Sequence, residues 1–109
     1  MYIPEQGDLV ILSFSPQSGQ EQKGRRPGLV ISKKAFNQIT RLAFICPITT
    51  TKRDYSFHLE LPSDLKCSGS VMIDQARSLD YIARKIEFCD TVPDTFLHEV
   101  LARFDPIFF

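Results

Sequence analysis

Short apolar segments, separated by polar or proline-containing turns, run through most of the 109-residue chain. In the first of them, Val10, Leu12 and Phe14 form one apolar face with a period of two, which predicts a β-strand. Apolar and polar residues alternate in the same way from Tyr55 to Leu61. The pattern predicts six strands, at residues 9–14, 29–31, 42–46, 55–61, 71–73 and 86–89.

Near the C-terminus the spacing of apolar residues becomes helical. Pro93 suits the first turn of a helix, and Pro106 is expected to end it. Between them, a helical stripe is predicted from Phe96, Leu97, Val100, Leu101 and Phe104. Many short strands followed by one helix predict a mainly β fold with a C-terminal helix, arranged as a small barrel that the helix caps.

Two connections and one strand carry further information. Residues 16–27 form a long connection for a compact domain, which indicates a functional or mobile segment, whereas residues 32–37 are interpreted as a short polar turn. The predicted strand at 42–46 is apolar on both faces, and a small sheet can bury both by packing against a second copy. We therefore predict a homodimer.

Length and composition are those of one small domain, residues 1–109, with 43% hydrophobic and 24% charged residues. No apolar run approaches the roughly 20 residues that span a bilayer, and residues 1–5 do not resemble a leader, so we expect a cytoplasmic protein without membrane contact. The odd number of widely spaced cysteines fits neither a disulfide framework nor a zinc site. We interpret Cys46, Cys67 and Cys89 as reduced and mostly structural.

Charge is unevenly distributed although the formal net charge is zero. Residues 20–53 contain eight Lys or Arg and one carboxylate, whereas residues 87–109 contain five carboxylates and one arginine. A basic segment of this kind predicts a surface that binds a polyanion such as RNA. It also predicts that an acidic partner peptide competes with RNA for the same segment.

The residue types point to catalysis without a metal or other cofactor. His58 and His98 both fall on polar faces of their predicted elements, and no His, Cys or carboxylate cluster has metal-ligand spacing. Cleavage of RNA by its own 2′-hydroxyl requires only charge stabilisation of the phosphorane, a hydrogen-bond donor and a proton acceptor. Arg26, held extended by Pro27, can provide the first. Thr49 and Glu21 can provide the others if the loop lies over the end of the third strand.

Five motifs in order resemble the MazF/PemK family of endoribonuclease toxins. They are Gly7-Asp8-Leu9-Val10, Glu21-Gln22 with Gly24 and Arg26-Pro27, Cys46-Pro47-Ile48-Thr49-Thr50, Gly69, and Asp74-Gln75 with Arg77-Ser78. The resemblance implies a dimeric SH3-like barrel and metal-independent cleavage of single-stranded RNA at a short sequence, leaving a 2′,3′-cyclic phosphate and a 5′-hydroxyl. It also implies a cognate antitoxin with an acidic, largely disordered tail.

The resemblance assigns catalytic roles to Arg26, Thr49 and Glu21. RNA binding is expected at eight further positions, from the basic loop and from the matching motifs: Lys23, Arg25, Asn37, Asp74, Gln75, Arg77, Ser78 and Arg84. Plain structural roles stay open for several of these residues, such as a turn hydrogen bond for Asp74.

Two rival functions stay open at this point. One is a toxin of the same fold that poisons a topoisomerase, as CcdB does, and cleaves nothing; it has no need of Glu21, Arg26 and Thr49. The other is a barrel module that binds RNA with strong salt dependence and leaves it intact. The chain also departs from some relatives, since it contains no tryptophan.

Overall fold

The fold was analysed in a computed structural model that describes residues 1–14 and 24–109. The strands are β1 Asp8–Ser13, β2 Arg25–Val30, β3 Leu42–Thr49, β4 His58–Glu60, β5 Ser70–Met72, β6 Arg77–Asp80 and β7 Glu87–Thr91. The helices are α1 Lys34–Thr40, α2 Asp94–Ala102 and α3 Asp105–Phe108, with one 3₁₀ turn at Ile73–Gln75. No helix within these residues is long and apolar enough to cross a membrane.

All seven strands belong to one antiparallel sheet with β3 at its centre. The pairing path runs β4-β5-β3-β2-β1-β7, and β6 pairs with the first half of β3. β3 has three partners. β2 pairs along one edge of β3, and along the other edge β6 pairs with its first half and β5 with its last residues. Among the described strands, nothing pairs β4 with β7, so the sheet is curved but not closed.

The two faces of the sheet bury separate apolar clusters, as the alternation along β1 requires. Leu9 faces a cluster that includes Leu29 and Val71 and packs against α2. Val10, Leu12 and Phe14 face the second cluster, which includes Ile45 and Tyr81. Burial on both faces explains the nearly continuous apolar runs in β1 and in residues 45–48 of β3, whereas Leu42 and Phe44 in the first half of β3 are exposed.

The predicted fold class, mainly β with a C-terminal helix, is confirmed. Phe96, Leu97 and Val100 of α2 are buried. The predicted end of this helix at Pro106 is wrong, because α2 ends at Ala102 and Pro106 lies in the first turn of α3. Proline has no backbone N–H to lose there, so it favours the start of a helix.

Other predicted bounds need correction. Residues 34–40 form α1 and not a turn, although the helix buries only Asn37 and exposes Ile39 and Phe36. β6 was not predicted, and β4 is confined to His58–Glu60. β2 begins at Arg25, four residues before the predicted strand, because its polar first half pairs with Leu12 and Ser13 of β1.

Candidate functional site

The candidate site lies where β1, β2 and β3 end together. Arg26 pairs with Leu12 in β1, and its side chain is exposed. On the other side of β2, the pairing with β3 ends at Gly28 and Pro47, and the same register continued by two residues would bring Arg26 opposite Thr49. Residues at even positions in β2 and odd positions in β3 share the face of the second apolar cluster. Arg26 and Thr49 therefore extend that face beyond its buried part.

Phe14 positions two of the predicted site arginines. The guanidinium carbon of Arg26 lies 6.0 Å from the centre of the Phe14 ring, and that of Arg77 lies 5.5 Å from it. Arg77 also donates a hydrogen bond of 2.9 Å from Nη2 to the Phe14 carbonyl. Cation–π contact at an exposed site stabilises by about 0.5–1 kcal/mol, enough to restrict a long side chain. One buried aromatic ring thus contacts two cations.

Arg84 brings a third cation to the same end of β1. Its Nη1 lies 3.4 Å from the carbonyl oxygens of both Ser13 and Phe14. Its Nε is buried and has no hydrogen-bond partner among the described residues. An unpaired buried donor of a charged group is costly. Arg26, Arg77 and Arg84, which we call the arginine cluster, therefore concentrate positive charge around Phe14.

Thr49, the last residue of β3, has its hydroxyl oriented by a local hydrogen bond. The backbone N–H of Thr51 donates to Thr49 Oγ1 over 3.1 Å, which leaves the hydroxyl proton able to donate elsewhere. On the β5 side, Thr49 pairs with Ser70. Gly69, which precedes Ser70, has φ +127°. The Gly69 backbone lies so close to β3 that a side chain at this position would meet the Thr49 carbonyl.

A polar cleft of about 370 Å³ lies beyond the end of β3, and its walls include Lys52, Arg53 and Ser70. In this region Tyr55 donates a 2.8 Å hydrogen bond to the Asp74 carboxylate, and this bond raises the pKa of the Tyr55 hydroxyl. The Arg53 guanidinium lies 5.6 Å from the centre of the Tyr55 ring. The structure thus supports an exposed position for Asp74 beside a cationic and aromatic wall.

His58, for which the strand pattern indicates an ordinary exposed histidine, also lines this cleft. Its ring is half-buried beside Tyr55, with 5.1 Å between the ring centres. Nδ1 is buried and has no partner among the described residues. The alternation of β4 places His58 on the polar face, but only the fold shows that this face forms a cleft wall.

Two predicted RNA-binding residues have different positions from those expected. Asn37 is fully buried, donates to the carbonyls of Pro4 and Ser32, and accepts from the Ser32 hydroxyl. Its side chain cannot reach a ligand in this conformation, so its expected RNA contact needs correction to a structural role. Arg25 points away from the arginine cluster toward Glu87, with 2.6 Å between Nη2 and Oε1. It also donates to the carbonyls of Ile11 and Lys85.

The remaining predicted positions divide by location. Gln75 is exposed in the same turn as Asp74. Ser78 is exposed opposite Phe44, on the face of β6 that points away from Arg77. Glu21 and Lys23 lie outside the described residues. The structure therefore brings Arg26, Arg77 and Arg84 around Phe14, and Arg26 and Thr49 each lie two residues beyond the last β2–β3 pair, Gly28 and Pro47.

Comparison with known proteins connects this arrangement to a family. Residues 5–108 match the family model described as PemK-like, MazF-like toxin of type II toxin-antitoxin system. The chain belongs to this toxin family. It is 36% identical over 107 residues to endoribonuclease PemK of Escherichia coli, covering 94% of this chain and 80% of that protein. It is 33% identical over 109 residues to endoribonuclease toxin ChpB of Escherichia coli K12, covering 94% and 92%.

Solved structures of the family have the same fold. The chain superposes on MazF of Deinococcus radiodurans with a TM-score of 0.88 and 42% identity, covering 98% of this chain and 97% of that one. A MazE–MazF complex of the same organism gives a TM-score of 0.86 and 37% identity, with 98% and 96% covered. The resemblance to the MazF/PemK family that the motifs indicated is confirmed.

Proposed function

We propose that this chain is the toxin of a toxin–antitoxin system and acts as a metal-independent endoribonuclease on single-stranded RNA. The observation that carries the proposal is the arginine cluster around Phe14, with Arg26 and Thr49 each two residues beyond the paired Gly28 and Pro47. Relatives of the same family are endoribonucleases by name, including PemK and MazF of Escherichia coli. Cleavage of messenger RNA would stop translation and growth, and the cytoplasm is where that substrate is found.

In the proposed reaction the 2′-hydroxyl of the substrate attacks the adjacent phosphorus, and the bond to the 5′ oxygen of the next nucleotide breaks. Glu21 takes the proton from the 2′-hydroxyl, and the departing 5′ oxygen receives a proton from the site or from water. The products are a 2′,3′-cyclic phosphate and a 5′-hydroxyl. No water molecule is consumed and no metal is needed in this step.

Arg26 and Thr49 stabilise the charge that develops on the phosphorane. Arginine stays protonated and can offer two parallel N–H donors to phosphate oxygens, so we assign Arg26 to charge stabilisation and not to proton transfer. The Thr49 hydroxyl adds a hydrogen bond, for which its orientation by the Thr51 amide prepares it. The charged Arg26 is expected to contribute about 100-fold or more to the rate, and the neutral Thr49 hydroxyl about tenfold.

RNA binding is proposed for the exposed residues around these two. Arg77 and Arg84 would contact phosphates next to the scissile one, with Lys23 from the basic loop. Asp74, Gln75 and Ser78 carry side chains that can form hydrogen bonds with base edges. Asp74 is exposed and its carboxylate already accepts one hydrogen bond from Tyr55, so it retains acceptor capacity.

The proposed toxin forms a homodimer and binds a cognate antitoxin. Phe36 of α1 and Phe44 of β3 are both exposed, with 5.9 Å between ring centres, and Leu42 and Ile39 extend this apolar surface. A second copy would cover such a surface. An antitoxin with an acidic, disordered tail would cover the basic surface and exclude RNA, and a solved relative is a MazE–MazF complex.

The test uses purified protein, a long mixed-sequence single-stranded RNA and excess EDTA, followed by mapping of the fragment ends. We expect discrete cuts with cyclic phosphate ends. Arg26→Gln should lower the cleavage rate by about 100-fold or more, and Thr49→Val, which keeps the β-branched shape, by about tenfold. Arg103→Gln removes the arginine that follows α2 and contacts Glu99, and it serves as the matched control with unchanged rate. RNA left intact by the wild type would refute the proposal.

The topoisomerase-binding alternative predicts the opposite result, with no cleavage by any variant. The comparisons give no support to it. The cluster around Phe14 also argues against a purely protein-binding function, since such a function does not require Arg26 and Thr49.

A further inference from the structure

Two cysteine thiols from opposite ends of the strand-pairing path lie in contact. Cys67 belongs to the segment between β4 and β5, and Cys89 belongs to β7. Their Sγ atoms are 2.9 Å apart, against about 2.0 Å in a disulfide bond. Both residues are half-buried and both are free thiols. Sequence separation alone gave no sign that they meet.

The position of this pair in the sheet gives it structural meaning. β4 and β7 are the two ends of the pairing path, and no strand pairing joins them within the described residues. The segment that carries Cys67 connects β4 to β5, at one end of the path, and contacts β7 at the other end. There, the backbone N–H of Lys66 donates a 2.9 Å hydrogen bond to the Asp90 carboxylate beside Cys89. A covalent bond between the two cysteines would therefore tie together the two ends of the sheet.

We propose that Cys67 and Cys89 form a reversible intramolecular disulfide that fastens the open edge of the sheet. The two thiols lose two protons and two electrons, and a low-molecular-weight disulfide takes them up and is reduced to two thiols. A thiol reductant reverses the step. This inference goes beyond the proposed nuclease activity and does not depend on it.

The surroundings of the pair favour the protonated thiol over the reactive thiolate. Burial, the hydrogen bond with Cys89 and the negative Asp90 raise the pKa of the Cys67 thiol to about 12. The thiolate is the attacking species in exchange, so formation should be slow at neutral pH and requires long equilibration. Once formed, the bond closes a chain segment that contains β5, β6 and most of β7, and cross-linking such a segment restricts the unfolded state.

Cys46 provides a matched internal control. It is fully buried in β3, at the centre of the sheet, in the apolar cluster against which Cys67 and Cys89 also pack. Burial raises the pKa of its thiol to about 12. It should remain reduced under conditions in which the Cys67–Cys89 bond forms.

The experiment equilibrates the full chain in glutathione buffers from fully reducing to fully oxidising, quenches with acid and alkylates free thiols. Trypsin separates the three cysteines into peptides 67–77, 86–103 and 42–52, so the linked pair is identified directly by mass. We expect a disulfide that links peptide 67–77 to peptide 86–103 within a single chain and that dithiothreitol removes. Oxidation should raise Tm by at least about 8 °C.

Cys46→Ala should keep both the link and the shift in Tm, whereas Cys67→Ser and Cys89→Ser should each lose them. The wild-type titration needs no variant, so a folding defect in a variant leaves the test intact. Absence of the link in the most oxidising buffer, a link that involves Cys46 or joins two chains, or an unchanged Tm after linkage would each overturn the proposal.

Discussion

Gly69→Ala tests whether the geometry at the end of β3 controls activity. Gly69 has φ +127°, a conformation that residues with a side chain rarely adopt. A Cβ atom there would lie 2.5 Å from the carbonyl oxygen of Thr49 and 2.9 Å from Cγ2 of Ile48. The nearest obstacle is backbone, so it cannot be relieved by a side-chain rotation. The substitution has to displace Thr49, Gly69 or both.

The size of the effect follows from these distances. Ordinary contact begins near 3.4 Å, so the two groups must separate by about 0.9 Å. A displacement of about 1 Å in an active site can reduce the rate by about 100-fold. Backbone strain of about 1–3 kcal/mol and overpacking of a similar size destabilise the fold. Lower unfolded-state entropy offsets about 0.4–1 kcal/mol. We expect Tm to fall by at least about 6 °C.

The assay compares kcat/KM for RNA cleavage at a temperature where all variants are folded by circular dichroism. Gly7→Ala is the matched control, because Gly7 also has a positive φ of +98° but its Cβ would meet only Leu97 at 3.4 Å and Val92 at 4.0 Å. It should lower Tm and leave kcat/KM unchanged. Equal kcat/KM for Gly69→Ala and the wild type, or an equal loss in both variants, would refute the reasoning.

Three further substitutions separate structural from functional roles. Arg25→Gln removes the ion pair with Glu87 and should lower the free energy of unfolding by about 1–2 kcal/mol with cleavage per folded molecule retained; a loss of cleavage without loss of stability would contradict this. Asn37→Ala leaves its buried partners unpaired and should cost about 2–4 kcal/mol of stability with RNA affinity unchanged, as measured by urea unfolding and by filter binding. The backbone amides of Lys66 and Thr91 donate to Asp90 and hold its pKa below the ordinary value, so its contribution to stability is present above about pH 4 and is lost as the pH falls through the lowered pKa. The Tm advantage of the wild type over Asp90→Asn should therefore shrink between about pH 5 and pH 2, and a difference independent of pH would exclude this role.

Hydrophobic pattern predicted the parts of the fold in which local sequence and burial agree. β1 and α2 have clear periodicity and bury the predicted residues. α1 was not predicted because it has no buried apolar stripe. β6 was not predicted because it is short and polar at three of its four positions. The first half of β2 also lacks an apolar signal, since pairing with β1 and not burial makes it a strand.

The candidate site was predictable in its residue types more than in its contacts. Pro27 correctly indicated an extended Arg26, and the family motif indicated Thr49. Phe14 contacts both Arg26 and Arg77. Phe14 and Arg77 are 63 positions apart in the sequence, and no local pattern encodes their contact. Asn37 has a side-chain amide that could bind a ligand. Only the tertiary structure shows that this amide instead forms hydrogen bonds with backbone carbonyls.

The most direct test of the account replaces one ribose of the substrate. An RNA oligonucleotide that contains one mapped cut site is compared with the same oligonucleotide carrying a 2′-deoxyribose on the 5′ side of the scissile phosphate, both in excess EDTA. The account predicts that the all-ribose strand is cut to a 2′,3′-cyclic phosphate and a 5′-hydroxyl, and that the deoxy strand stays intact. Cleavage of the deoxy strand at the same phosphate would contradict it, because the nucleophile would then come from water or from the protein.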